Sequence, residues 1–391
     1  MLLSAEVGCT HQSNRNGLNQ RENEFMQSKI KFGVRSLIHV AVVAGLLSMM
    51  PLSATFAAQA SNEVAVQAQA QALQSWHENI KQVGPPAAGC WSVSYPNHIW
   101  KKETCGQVSG YRSSPPTLGK PGVMGGIASR AMTGKTANQA GAGNDYSALT
   151  ANLTSSAVGS FPTVKGVKSE SGNYGANKYT LQLNTNISDD VVQLGNTSPY
   201  CADNGYAACS TWQQFIYSTD NGGGNPQAFI QNWLFIGPND TCPAGWGSFS
   251  QGYNGCYTNS DAVAVPNVLA ANLAKVKLSG TASANGLDTV TFTYGTTAYA
   301  ISQSDSTLEI ASTWMQSEFN IVGDGSESAA ANFNSGSSLT VKLSVNDGST
   351  NAPTCVGPAN GGTTGEYNNL NLGACAASGG ATPSIQFTES N

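Results

Sequence analysis

A carboxylate set between two carboxamides on one face of a strand can move protons, and the stretch from Ala311 to Gly325 (ASTWMQSEFNIVGDG) offers that combination. Successive strand side chains point to opposite faces, so Trp314, Gln316, Glu318, Asn320 and Val322 share one side, and Met315, Ser317, Phe319 and Ile321 the other. The second set is a core face. The first presents an acid with amide neighbours beside a tryptophan, and Gly323-Asp324-Gly325 then turns the chain. The ordinary reading of such a face is a solvated sheet surface, but a second strand of the same kind argues for more. Ala228 to Ile236 (AFIQNWLFI) carries Gln231 among Phe229, Trp233 and Phe235, with a largely apolar set on its other face, which marks a central strand. A buried amide left without a partner costs about 1–3 kcal/mol, so Gln231 must find one, most simply across the sheet.

Absences narrow the chemistry. Beyond the first 60 residues the histidines are His77 and His98, both far from these strands, so the β-rich part holds no Ser-His-Asp or Cys-His site. There is no HExxH and no phosphate-cradling glycine loop followed by lysine. The cysteines lack zinc spacing, and Asp220-Asn221-Gly222, Asn239-Asp240 and Asn346-Asp347-Gly348 fit ordinary turns better than calcium loops, so neither metal nor cofactor is expected. An enzyme built on this chain would use a carboxylate for proton transfer.

The elements that must position these residues are strands. The 391 residues include 43 glycines and only 10% charged residues, as suits an all-β protein rich in turns. From about Asp145 the pattern gives short strands at Leu149 to Val158, Lys178 to Asn184, Thr211 to Ser218, Ala228 to Ile236, Lys275 to Ser279, Asp288 to Tyr294, Thr297 to Ser302, Thr307 to Ile321, Ser338 to Val345 and Ser384 to Thr388. Without helical segments between them they predict a two-sheet antiparallel sandwich or jelly roll. Val265 to Ala274 is expected as a short helix or an extended crossing.

Three regions are expected. Residues 1–60 form a leader with the layout of a secretory signal: Lys29, Lys31 and Arg35, the apolar run Leu37 to Pro51, then small residues with cleavage between Ala57 and Ser61. Met26 is the expected true start. The apolar run is short of the ~20 residues of a spanning helix, so no membrane anchor is expected after cleavage. Residues 61–143 comprise a helix over Glu63 to Lys81, a small element closed by Cys90 and Cys105, and a Gly/Ser/Pro-rich linker; this part could be a propeptide or an arm. Residues 144–391 form the sandwich.

Eight cysteines follow the leader: Cys90, Cys105, Cys201, Cys209, Cys242, Cys256, Cys355 and Cys375. They allow about 105 connectivities, but they fall into four close pairs, and sequential pairing would staple loops of 16, 9, 15 and 21 residues. Disulfides agree with export to an oxidising, extracellular or periplasmic space. From Ser61 onward 13 Lys plus Arg face 20 Asp plus Glu, and no basic residue lies between Lys178 and Lys275, which argues against a nucleic-acid partner. A polypeptide substrate or an extracellular ligand, met by a monomer, fits better.

The pieces Ala228-Phe229-Ile230-Gln231 and Ser317-Glu318-Phe319, the latter followed by Ala331-Asn332-Phe333, resemble the glutamine and glutamate strands of the glutamic peptidases, or eqolisins. Trp212 in Ser210-Thr211-Trp212 resembles a tryptophan on an earlier strand of that family. The resemblance implies a sandwich like that of the legume lectins (concanavalin-like) and acid endopeptidase activity, with Glu318 as the general base and Gln231 as the oxyanion donor. Gln316, Asn320 and the three tryptophans would then contact substrate. This chain departs from the family in lacking the aromatic and acidic strand after the glutamine, in inserting the loop Asn239 to Cys256, and in ending the Glu318 strand at Gly323-Asp324-Gly325. Over its whole length, from Gly89-Cys90-Trp91 to Ala352-Pro353-Thr354-Cys355, it is similar to exported bacterial proteins without an established activity. The alternative to a peptidase is a non-catalytic, lectin-like binding module, in which Trp212, Trp233 and Trp314 line a groove.

Overall fold

The computed structural model describes residues 53–108, 145–172, 174–188, 198–206, 209–220, 225–237, 239–250, 254–323, 330–357 and 367–391. The chain divides into Met1–Ala60 and Ser61–Asn391. Of the first unit only residues 53–60 are described, as the opening turns of an α-helix that runs Ser53–Val83, longer at both ends than expected from composition. The apolar run Leu37 to Pro51 and Met26 lie outside the described residues, as does most of the linker before Asp145. No helix among the described residues is long and apolar enough to cross a membrane.

The second unit is built of antiparallel strands, with one short parallel pairing. Among the described residues, three sheets hold ten, eight and four strands. The ten-stranded sheet is centred on Ser156–Lys165, which lies between Val276–Thr281 and Ser338–Asn346. At one edge Gly89–Ser94 pairs along its whole length with Thr297–Ser304. The Cys90/Cys105 element is therefore a strand of the large sheet. Trp76 and Ile80 of the helix pack on Val93, Trp100, Ala298 and Ala300 of this edge.

The eight-stranded sheet carries the candidate chemistry. Its order is Gly247–Ser250, Asn254–Ala264, Gln227–Ile236, Cys209–Ser218, Thr180–Asn184, Gln316–Val322, Ser147–Leu149 and Thr354–Val356. One face, with Leu181, Leu183, Phe215, Tyr217, Ile230, Phe319 and Ile321, joins the inter-sheet core. Phe319 sits on Phe161 at 5.2 Å between ring centres. Only glycine fits beneath it, since a Cβ on Gly159 would lie 2.0 Å from the Phe319 ring. Gly280 makes the same room for Phe215.

The core also contains a polar clasp between the sheets. Gln213 donates to Asn232 at 3.0 Å and to Asp288 at 2.9 Å, and Gln303 donates to Asn232 at 2.9 Å. Burial, with the nearby Asp305 carboxyl, raises Asp288 to about 8, against the pull of the Gln213 bond.

Several expected boundaries move. Thr307 to Thr313 is two short 3₁₀ turns, Asp305–Thr307 and Ile310–Ser312, and the Glu318 strand begins only at Gln316. The reason is Asn186, whose side chain accepts from the backbone N–H groups of Met315 and Gln316 at 2.7 and 3.0 Å and so fixes where the strand starts. Leu149 to Val158 splits between the ends of two strands that lie in different sheets. Val265 to Ala274 resolves into a 3₁₀ turn, Ala270–Lys275. The inserted loop Asn239 to Cys256 contains an edge hairpin, where Gly247–Ser250 pairs with the start of Asn254–Ala264. The disulfides join neighbours in sequence: Cys90–Cys105, Cys201–Cys209, Cys242–Cys256 and Cys355–Cys375.

Candidate functional site

Antiparallel register aligns one row of side chains across the face of the eight-stranded sheet that points away from Phe319. Glu318 stands opposite Asn184 on one side and Ser147 on the other. Asn184 stands opposite Gln214, Gln214 opposite Gln231, and Gln231 opposite Asn259. Directly opposed residues share a face, so Glu318 and Gln231 lie in one row on one surface, with two strands between them.

Hydrogen bonds join Glu318, Asn184 and Gln214 at one end of the row and Gln231 and Asn259 at the other. Asn184 Nδ2 donates to Glu318 Oε2 at 2.6 Å, Gln214 Nε2 donates to Asn184 Oδ1 at 3.1 Å, and Gln231 Nε2 donates to Asn259 Oδ1 at 2.8 Å. Gln214 Oε1 accepts from the Trp233 indole at 2.8 Å, which locks the row against the aromatic end of the face. Gln316 donates to Ser147 Oγ at 2.6 Å, so it ties two strands together. The row is buried: Glu318 is 2% exposed and Gln231 0%.

Two acids that sequence reasoning missed complete the site. Extending the register of Gln316–Leu149 and Glu318–Ser147 by one step brings Asp145 opposite Asn320. There Asn320 Nδ2 donates to Asp145 Oδ2 at 3.4 Å and to Glu389 Oε2 at 3.3 Å, and Asn368 Nδ2 also donates to Glu389 at 3.1 Å. Burial holds Asp145 well above the usual carboxylate range, with the Glu318 carboxylate, its hydrogen-bond partner, adding to the effect and Glu389 contributing further. Burial raises Glu389 to about 7, with the Asn368 and Asn320 amides opposing. Two carboxyls, Asp145 and Glu389, thus meet at Asn320 within a frame of amides, with Glu318 next along the same strand face. Such a cluster can store a proton and pass it between neighbours.

The three tryptophans separate. Trp212 and Trp233 stack at 5.9 Å on the same face as Gln231, within a cluster that includes Ile187 and Phe235. Trp314 was expected beside Glu318; it precedes the strand, falls outside its alternation and packs on Phe215 in the inter-sheet core at 5.7 Å. Its indole donates to Ser317 Oγ at 2.9 Å, which anchors the strand from the core side. All three are 0% exposed, so they do not line one open groove.

Asp347 of the Asn346-Asp347-Gly348 turn is spent on Ser349 and on the Asn152 N–H. Asp240 accepts from the Gly237 N–H, while Asn221 and Gly222 lie outside the described residues, as do Asp324 and Gly325. No group of three or more His, Cys, Asp or Glu among the described residues is placed to hold a metal ion.

No known family profile matches the chain, and no curated protein matches it. Among solved structures it is similar to the crystal structure of scytalido-glutamic peptidase with a transition state analog inhibitor, at 12% identity and a TM-score of 0.26, over 62% of this chain and 97% of that one. This is a weak structural resemblance and assigns no residue a role.

Proposed function

We propose that this chain is an exported acid endopeptidase of the glutamic type, with Glu318 as its general base. The observation that carries this reading is the row itself: a carboxylate, held by Asn184, on the same sheet face as Gln231 and hydrogen-bonded to an amide network. Glu318 would take a proton from water as its oxygen attacks the peptide carbonyl. Gln231, three strand spacings or roughly 14 Å along the row from Glu318, would contact the substrate away from the scissile bond, and the proton would return to the leaving amine. The reading needs neither histidine nor metal.

A buried row must be opened to meet a polypeptide. Removal of residues 61–143 is the proposed route, supported by Val108, which packs against Ile216 and Phe229 on the face that bears Gln231. Incubation in acid followed by N-terminal sequencing of the product tests this, with a new terminus near Asn144 expected.

The test of the reaction is Glu318→Gln. General base removal costs about 10²–10⁴-fold in rate, so cleavage of a denatured protein substrate in acid should fall by at least about 10²-fold with the circular dichroism spectrum unchanged. Wild-type cleavage by that variant removes Glu318, and this reading with it.

A further inference from the structure

We infer that Asp145 is the second half of the acid–base pair, holding one proton jointly with Glu318. The pair itself is a matter of geometry; only its part in hydrolysis rests on the function proposed above. Asp145 precedes the short strand Ser147–Leu149, which borders the Glu318 strand on the side opposite Asn184. Asp145 stands two residues before Ser147, the residue opposite Glu318, which makes the two carboxyls diagonal neighbours on one sheet face, and Asn320 donates to Asp145 at 3.4 Å. The charged groups acting on it are the carboxyls of Glu318 and Glu389. Two carboxyls in hydrogen-bond contact away from water cannot both be ionised, so one proton bridges them. Asn184 donates to Glu318 Oε2, which favours the negative charge on Glu318 and leaves the proton on Asp145.

This division of roles completes a balanced cycle. Glu318 accepts a proton from water as the new C–O bond forms. Glu318 gives that proton to the amide nitrogen as the C–N bond breaks, the products are one carboxyl and one amine, and both acids end as they began, Glu318 ionised and Asp145 still holding its proton. Asp145 is in this scheme a positioning residue: it sets the protonation state of Glu318 and need not touch substrate.

The pair can be tested without relying on activity. The side-chain carboxyl carbons of Asp and Glu are labelled with ¹³C and followed by NMR across pH in the wild type, Asp145→Asn and Glu318→Gln, with circular dichroism confirming each fold. The Asp145 signal, identified by its loss in Asp145→Asn, should titrate well above the ordinary carboxylate range in the wild type and at least about one pH unit lower in Glu318→Gln. An Asp145 titration that stays in place when Glu318 is neutralised overturns the inference. In hydrolysis, Asp145→Asn should lower kcat at unchanged KM and remove the alkaline limb of the pH profile, and Asp145→Glu should restore part of both. If Asp145→Asn keeps the wild-type kcat and profile while Glu318→Gln is dead, Asp145 has no part in the cycle and the proposed function stands. If the wild type cleaves nothing, the proposed function falls, and the labelled carboxyls still decide the pair.

Discussion

Glu389 shows how much a single buried acid can weigh. It is fully enclosed, held by Asn320 and Asn368, and raised to about 7 from an ordinary value near 4.5, mainly by burial. A folded-state value above the unfolded one means that the folded chain binds the proton more tightly. The stabilisation is therefore complete below about pH 4.5 and is lost as pH rises towards 7. A difference of this size corresponds to roughly 3 kcal/mol. Glu389→Gln keeps the shape and the acceptor oxygen for Asn320 and Asn368 but cannot ionise. Its urea midpoint should match the wild type near pH 4 and exceed it near pH 8; a variant weaker than the wild type at both would show that the carboxyl is needed for packing instead.

The strand that carries Glu318 is held from both sides, by Asn186 at its start and by Phe319 against Gly159 beneath. Gly159→Ala places a methyl where the Phe319 ring already lies, and overpacking of this kind costs about 1–3 kcal/mol. The thermal midpoint should drop accordingly, and activity should fall with it because Glu318 and Asn320 flank the displaced ring; an unchanged midpoint would mean that the sheets separate freely here. Much of this element was legible in the sequence. Alternation placed Glu318, Gln316 and Asn320 on one face and Phe319 on the other, because period two follows from strand geometry alone. Alternation failed at Trp314, where Asn186, distant in sequence, decides the start. Asp145 and Glu389 were missed for a related reason. Each is a lone acid near the end of an unremarkable segment, and register across the sheet, which no local pattern encodes, brings them to Asn320. The polar face of Thr180–Asn184, with Thr180, Gln182 and Asn184 alternating with Leu181 and Leu183, was a signal in the same idiom and could have been matched to the Glu318 strand.

Among the described residues, Asp145, Asp288 and Glu389 are all raised, chiefly by burial. Each raised acid contributes stability that is full below its unfolded value and declines up to its folded one, so wild-type stability should fall from about pH 4 to about pH 8. Denaturant midpoints across that range test this, and a midpoint that rises with pH would contradict the burial of these groups as neutral acids. The disulfides, finally, bear on how such a chain is made. All four join each cysteine to the next one along the described chain. A chain delivered N-terminus first into an oxidising space therefore presents each thiol's partner before the next pair arrives, and oxidation in order of arrival reaches the native set with nothing to unscramble.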